Sequence, residues 1–299
     1  MIDTPRDASR SMPPAVRSKM TSYRETFIRD GVVHIPGALV GPDLALAREL
    51  FDWTYAHHSK AAFEAPMGAA GETVFIDTYN VSSRDLYHEK LRRSSMPEIA
   101  ATILGADRLW FLGEQIFVKK GAGGSRGTPW HQDSDMPLDD VGAIGMWMAF
   151  EELDADACLH FVPGTHTGPS YNSLVPAADG AGTRLLYPTA SDMPVFPDIE
   201  GNPGAFDIVS WKYQPGDIIM FHSNTIHGGA PVPAGGERNT LCLRFIDANV
   251  RYQERPFREF NGNAAAEATE ALWEGLENGM PVHRGRHFTE IFHGSKVAA

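Results

Sequence analysis

The sequence predicts a mainly β protein with flanking helices, built round a double-stranded β-helix (jelly-roll) core. Three observations predict it. From about residue 108, short β-rich runs (RLWFLGEQIFVKK, AIGMWMAFEEL, CLHFVPGTH, DIIMFHSNTIHG, NTLCLRFIDANV) alternate with Gly- and Pro-rich turns, the texture of an antiparallel sandwich and not of βαβ units. Several of these runs alternate with period two, so that each presents a cavity-like face and a packing face. Helix-like periodicity falls mostly before residue 108. At 299 residues the chain fits one large β domain.

The elements follow in order. Residues 1–20 are polar, Pro-rich and without an apolar h-region, and read as a flexible leader. Residues 21–30 followed by GVVHIPGAL read as a helix running into a strand, with Ser22 and Glu25 in capping-box spacing and Gly31 as the break. Residues 42–57 carry Leu44, Leu46, Leu50 and Trp53 at helical spacing, and residues 85–104 read as a helix divided by Pro97. The expected organisation is therefore a leader (1–20) and a single domain (21–299). That domain has a helical part (21–107), a jelly-roll core (108–250) and a C-terminal extension (251–299) with one helix over 264–277. An insertion at 169–211, rich in Pro and Gly and carrying Tyr171, Tyr187, Phe196 and Phe206, is either a lid over a site or a surface loop.

The charge balance excludes some partners. Lys and Arg number 26 against 38 Asp and Glu, a formal net charge of −12, with no basic block to track a phosphate backbone. Nucleic acid and polyanionic substrates are disfavoured. The apolar runs are too short to span a bilayer, so no membrane partner is expected and a cytoplasmic location is. Cys158 and Cys242, the two cysteines, make neither a disulfide framework nor a thiolate site and read as small buried hydrophobes.

Chemistry concentrates in TPWHQDSD. His131 and Asp133 stand at i and i+2, on one face of an extended segment, so an imidazole and a carboxylate can converge on one ion. His227, at the end of another strand-like run, completes a set of two imidazoles and one carboxylate. That set leaves three positions open on an octahedral ion and suits Fe(II) with a bidentate oxo-acid and O₂. Zinc also uses such ligands, so a zinc hydrolase stays open, as does a non-catalytic cupin-like binding protein in which the pair is vestigial.

Arg238 lies 11 residues after His227, across the turn GGAPVPAGGE, and an antiparallel return brings it back beside the metal. Its guanidinium could grip the distal carboxylate of 2-oxoglutarate. Period two puts Arg238, Thr240, Cys242 and Arg244 on one face and Leu241, Leu243 and Phe245 on the other. Arg244, roughly 20 Å further along at ~3.3 Å per residue, reads as a strand-end ion pair. In AIGMWMAF, Trp147 between Gly145 and Ala149 fits a cavity wall, whereas Met146, Met148 and Phe150 fit packing. Gln115 shares a parity with Phe117 and could donate to a co-substrate carboxylate. Trp130, Trp147, Asn224 and the insertion are the expected substrate walls, suited to a small, moderately apolar molecule.

With these residues in place the chain resembles the phytanoyl-CoA dioxygenase family of Fe(II)- and 2-oxoglutarate-dependent oxygenases. FIRDGVVHIPGAL is similar to the family's opening helix and strand, WHQD to its metal motif, DADACLHFVPGTH to its PGSH block. YQPGDIIMFHSNTIHGGAPV is similar to the segment bearing the second histidine, and RNTLCLRF to the last core strand. The resemblance implies a cupin-like double-stranded β-helix and His131, Asp133 and His227 as ligands. It also implies that Trp147, Gln115 and Lys119 line the 2-oxoglutarate pocket with Arg238, and that His166 and His222 are not ligands. It implies oxygenation, with hydroxylation of an unactivated C–H bond as the default and succinate and CO₂ released. Two departures stand out: Ala157 where the family has Gly, and Gly229 where some members place a hydroxyl. No basic cluster supports an acyl-CoA thioester.

Overall fold

The computed structural model describes residues 12–67, 71–123, 127–133, 136–139, 141–176, 183–185, 192–254 and 271–294. Met12, Val16 and Met20 stand at i, i+4, i+8, a spacing that marks one helix face. All three are buried in the main core, round α1 (Pro14–Arg17) and the start of α2 (Met20–Asp30). The part of the expected leader from residue 12 onward is therefore packed, because its polar composition conceals this apolar stripe.

The capping box expected at Ser22 does not form. Helix α2 begins two residues earlier, with Lys19 at its N-cap and no side-chain cap. Its end is as expected: Gly31 adopts φ +73° and donates its N–H to the Phe27 carbonyl, a left-handed cap that a side chain would strain. Strand β1 (Val32–Ile35) and α3 (Pro42–Ala56) follow, then β2 (Phe63–Pro66) and β3 (Thr73–Thr78). The expected helix over 85–104 is two helices, α4 (Arg84–Leu91) and α5 (Met96–Leu104). The break lies at residues 92–95, ahead of Pro97. Proline sits in the first turn of α5, where its missing N–H removes no helical bond.

The remaining strands are β4 (Arg108–Lys120), β5 (Thr128–His131), β6 (Ile144–Ala149), β7 (Leu159–Val162), β8 (Leu174–Pro176), β9 (Thr183–Leu185), β10 (Ile218–His222), β11 (Ile226–Gly229), β12 (Glu237–Ile246) and β13 (Thr289–His293). An eight-stranded antiparallel sheet runs β1-β10-β6-β12-β4-β3-β2, with β13 from the C-terminal extension pairing the start of β4. A three-stranded sheet, β5-β11-β7, faces it, and β8 pairs with β9.

Alternation assigns each strand's two faces. Met146, Met148, Met220, Leu241 and Leu243 point away from the small sheet into the core made with Leu46 and Leu50 of α3 and Ile99 and Ile103 of α5. Trp147, Ile219, Phe221 and Cys242 point inward and meet Leu159 and Phe161 of β7. Two antiparallel sheets closed over an inward-facing layer form the jelly roll that the sequence predicts.

Of the insertion, Tyr171, Phe196, Ile199 and Phe206 pack with Trp130, Val162 and Ile226 on the outer face of the small sheet. Tyr187 and the first half of the helix expected over 264–277, residues 264–270, lie outside the described residues; residues 271–273 are helical. Among the described residues no helix is long and apolar enough to cross a membrane.

Candidate active site

The inner faces of the two sheets enclose a cavity of about 1220 Å³ of empty space, its solvent-open mouth included. Its described lining includes His131, Asp133, His227, Gln115, Lys119, Trp147, Arg238, Thr240, Cys242 and Arg244. Period-two alternation on β4, β6 and β12 thus delivers the expected side chains to one space.

His131 of β5 and His227 of β11 are direct cross-strand partners, with ring centroids 4.2 Å apart. Each ring is oriented from behind by a backbone carbonyl. His131 Nδ1 donates to Pro129 O at 2.8 Å, and His227 Nδ1 donates to Thr225 O at 2.9 Å. A carbonyl only accepts, so the proton sits on Nδ1 and the Nε2 lone pair faces the cavity. Asp133 Oδ1 lies 3.8 Å from His131 Nε2 and 4.0 Å from His227 Nε2, and the three candidate ligand atoms all fall within 4.8 Å of one another.

The second oxygen of Asp133 is held elsewhere. Arg244 donates to Oδ2 through Nη2 at 2.9 Å and Nε at 3.3 Å. Burial alone would raise the Asp133 carboxyl, but Arg244 above all, then His227 and His131, outweigh it and hold the group below the usual carboxylate range. Burial, then neighbouring His131, push His227 down to about 3, so its imidazole is neutral at working pH. Two imidazole nitrogens and one carboxylate oxygen, each side chain fixed by a second partner, make a donor set that fits a divalent transition metal. The ion pair expected of Arg244 exists, but it is buried at the heart of the site and not at a strand end.

Strand β5 spans the cavity lengthwise, and at its other end Thr128 accepts from Lys119 Nζ at 2.6 Å. Lys119 is the direct cross-strand partner of Arg238. Arg238 donates to Ala157 O at 2.6 Å and Ala230 O at 2.7 Å, while its buried Nε makes no hydrogen bond. Burial lowers the Arg238 guanidinium to about 10; burial and then Arg238 push the Lys119 ammonium well below its ordinary range. Asp133, at the opposite end, is the only acid in the described lining. Two adjacent buried basic side chains without a carboxylate between them make a place for an anionic ligand.

Both departures from the family pattern resolve locally. Ala157 has no positive φ and offers its carbonyl to Arg238. Gly229 has φ +70°, and a Cβ there would come within 2.3 Å of His160 Nδ1, so a side chain is excluded. The hydroxyl in this part of the cavity is instead that of Thr128, which sits cross-strand from Gly229. Ala230, also left-handed at φ +58°, turns its carbonyl toward Arg238 and Lys119.

Two expected substrate residues are not in the described lining. Trp130 precedes His131 by one residue and therefore points to the opposite face, where the insertion covers it. Asn224 uses its carbonyl to accept from Gln132 Nε2 at 2.6 Å and its N–H to bond His222 Nδ1 at 3.0 Å. His222 and His166 face one another away from the triad, at 5.6 Å between rings. Gln132 and Tyr79 were not singled out by the sequence. Gln132 bonds Pro169 O and the Tyr171 N–H and so ties the insertion to the metal motif. Tyr79, at φ +54°, lays its ring beside Arg244, with the guanidinium carbon 6.0 Å from the ring centroid.

Comparison with known proteins identifies the family and the fold. The model of the family described as phytanoyl-CoA dioxygenase (PhyH) matches residues 27–240, which contain the triad and Arg238. The chain belongs to the phytanoyl-CoA dioxygenase family. No curated protein's sequence matches it significantly. Among solved structures, this family member is similar in fold to the epimerase SnoN in complex with Fe3+, alpha ketoglutarate and nogalamycin RO, at TM-score 0.64 and 17% identity over 92% of this chain and 99% of that one. It is similar to the alpha ketoglutarate dependent carbocyclase SnoK from nogalamycin biosynthesis, at 0.61 and 17% over 90% and 95%. EctD from S. alaskensis, with 2-oxoglutarate and 5-hydroxyectoine, matches at 0.51 and 19% over 94% and 87%.

Proposed function

We propose that this protein is a non-haem Fe(II)- and 2-oxoglutarate-dependent oxygenase that hydroxylates an unactivated C–H bond of a small, moderately apolar molecule. One observation carries the reading: the His131–Asp133–His227 donor set shares a cavity with an unneutralised cationic pair, Lys119 and Arg238. A zinc hydrolase has use for the first without the second, and a binding protein with a vestigial metal motif has no use for the first. Oxo-acid dependence also agrees with the ligands named for SnoN, SnoK and EctD.

In this reading His131, Asp133 and His227 hold Fe(II), which when bound supplies the oxidising chemistry that couples O₂ and 2-oxoglutarate to substrate, with succinate and CO₂ released. Arg244 keeps Asp133 ionised and one-ended, since Oδ2 is occupied and Oδ1 alone is left for the metal. Arg238 and Lys119 bind the distal carboxylate, with the free Arg238 Nε and the Thr128 hydroxyl as further partners. Trp147 and Phe221 form an apolar wall that limits water.

Anaerobic titration of metal-free protein with Fe(II) and then 2-oxoglutarate tests the proposal. The expected result is a weak visible charge-transfer band that saturates with 2-oxoglutarate. Iron binding without the band rejects the co-substrate. Turnover that persists under nitrogen and without 2-oxoglutarate favours the hydrolase.

A further inference from the structure

The cavity holds more positive charge than the proposed chemistry uses. Its described lining contains three cations, Lys119, Arg238 and Arg244, and one acid, Asp133. Fe(II) brings two positive charges and 2-oxoglutarate two negative ones, so loading the site leaves the excess of two unchanged. Even with the Lys119 amine uncharged, one positive charge remains. A buried charge without a partner is expensive, and a ligand that supplies the partner gains that energy.

One of these positive charges falls at the metal end, where Fe(II), Arg244, Asp133 and one carboxylate of 2-oxoglutarate sum to plus one. Arg238 and Lys119 lie together at the far end of β5, beside Thr128, where the dicarboxylate is placed. Arg244 lies at the Asp133 end, spends Nε and Nη2 on Oδ2, and keeps a buried Nη1 that makes no hydrogen bond. Beside Arg244 the lining is Tyr79 and the cross-strand partners Thr78 and Gln115, and from there an apolar wall of Ile76, Phe117, Val74 and Met67 runs toward the Lys119 end. The net charge of −12 on the whole chain disfavours a polyanion but not a single carboxylate.

We infer that Arg244 recognises the primary substrate, and that this substrate is a small monocarboxylic acid with an apolar body. The inference rests on the functional reading above and narrows its substrate class.

Full-length protein loaded anaerobically with Fe(II) and 2-oxoglutarate is titrated with matched pairs: hexanoate and hexanamide, octanoate and octanamide, 3-phenylpropionate and 3-phenylpropanamide. Heat of binding and the shift of the charge-transfer band are read together. The expected result is that in at least one pair the acid binds at least tenfold more tightly than its isosteric amide. That preference should fall at least tenfold in Arg244→Gln and partially in Arg244→Lys, which keeps a cation on Asp133. If the Gln variant no longer forms the band, the Lys variant decides. The inference is overturned if, with the band intact, no acid outbinds its amide or both variants keep the full preference. Absence of the band in the wild-type protein overturns the functional reading and this inference with it.

Discussion

At the scale of single residues, Asp133 and Arg238 serve the same cavity through different dependencies, and substitution should separate them. Asp133 turns Oδ1 toward the two imidazole Nε2 atoms and accepts from Arg244 at Oδ2. Asp133→Ala therefore removes a metal ligand and also strands a buried guanidinium, a loss of roughly 3–5 kcal/mol in stability for breaking such a pair. The expected outcome is 2-oxoglutarate turnover at background together with a lowered urea midpoint. Arg238 touches no metal ligand and hydrogen-bonds only backbone carbonyls. Arg238→Ala should leave Fe(II) affinity near wild type and weaken 2-oxoglutarate by about 1.5–3 kcal/mol, the range for hydrogen bonds to charged groups. Calorimetric titration of each ligand separately checks both; wild-type 2-oxoglutarate affinity in Arg238→Ala refutes the anchor.

At the scale of elements, β4 shows what one strand does with two faces. Gln115, Phe117 and Lys119 look into the cavity, while Ile116 and Val118 enter the core shared with α3 and α5. Glu114 has the core parity. It accepts from Ser83 Oγ at 2.6 Å and Asn80 N at 3.1 Å, and burial raises its carboxyl to about 7. A carboxyl whose folded pKa lies above its unfolded value of 4.5 stabilises fully below 4.5, and that stability is lost as pH rises through 7. Wild-type protein should thus lose up to about 3 kcal/mol from this group between those limits. Glu114→Gln retains an acceptor and does not titrate. The difference between the two proteins' urea stabilities should therefore move in the variant's favour from pH 4.5 to 7 and then level off; parallel curves would refute the raised pKa.

The same faces decide how much the sequence could reveal. Parity alone places Trp147, Arg238, Thr240 and Arg244 together, and the i, i+2 rule finds His131 and Asp133. Applied consistently, that rule also sends Trp130 outward, because it adjoins His131. Asn224 gives its backbone to Gln132 and His222, contacts that depend on which loops meet. The packing of residues 12–20 and the pairing of β13 with β4 depend on partners far away in sequence. Local propensity misplaced the α2 cap and the α4–α5 break, since tertiary packing sets where a helix starts.

At the scale of the whole molecule, the chain carries a net charge of −12 but concentrates an excess of cations in its interior cavity, an arrangement that trades stability for ligand affinity. Lys119 makes the trade measurable. Its ammonium is buried beside Arg238, and both circumstances disfavour the charge. Replacing it with methionine removes the desolvated cation and keeps an unbranched apolar stem. Lys119→Met should therefore melt no lower than wild type in the ligand-free state. Binding should show the opposite sign. At 2-oxoglutarate one hundredfold above its Kd, the wild-type protein gains about 2.7 kcal/mol. At roughly 2.1 cal/mol/K per residue, that raises Tm by about 4 °C. A tenfold weaker Kd in the variant leaves about 1.4 kcal/mol at the same concentration, a shift near 2 °C. Thermal melts with Mn(II), with and without 2-oxoglutarate, read both quantities. A ligand-free variant that melts well below wild type, yet shows an undiminished ligand shift, would make Lys119 a structural residue and leave Arg238 as the sole anchor of the pair.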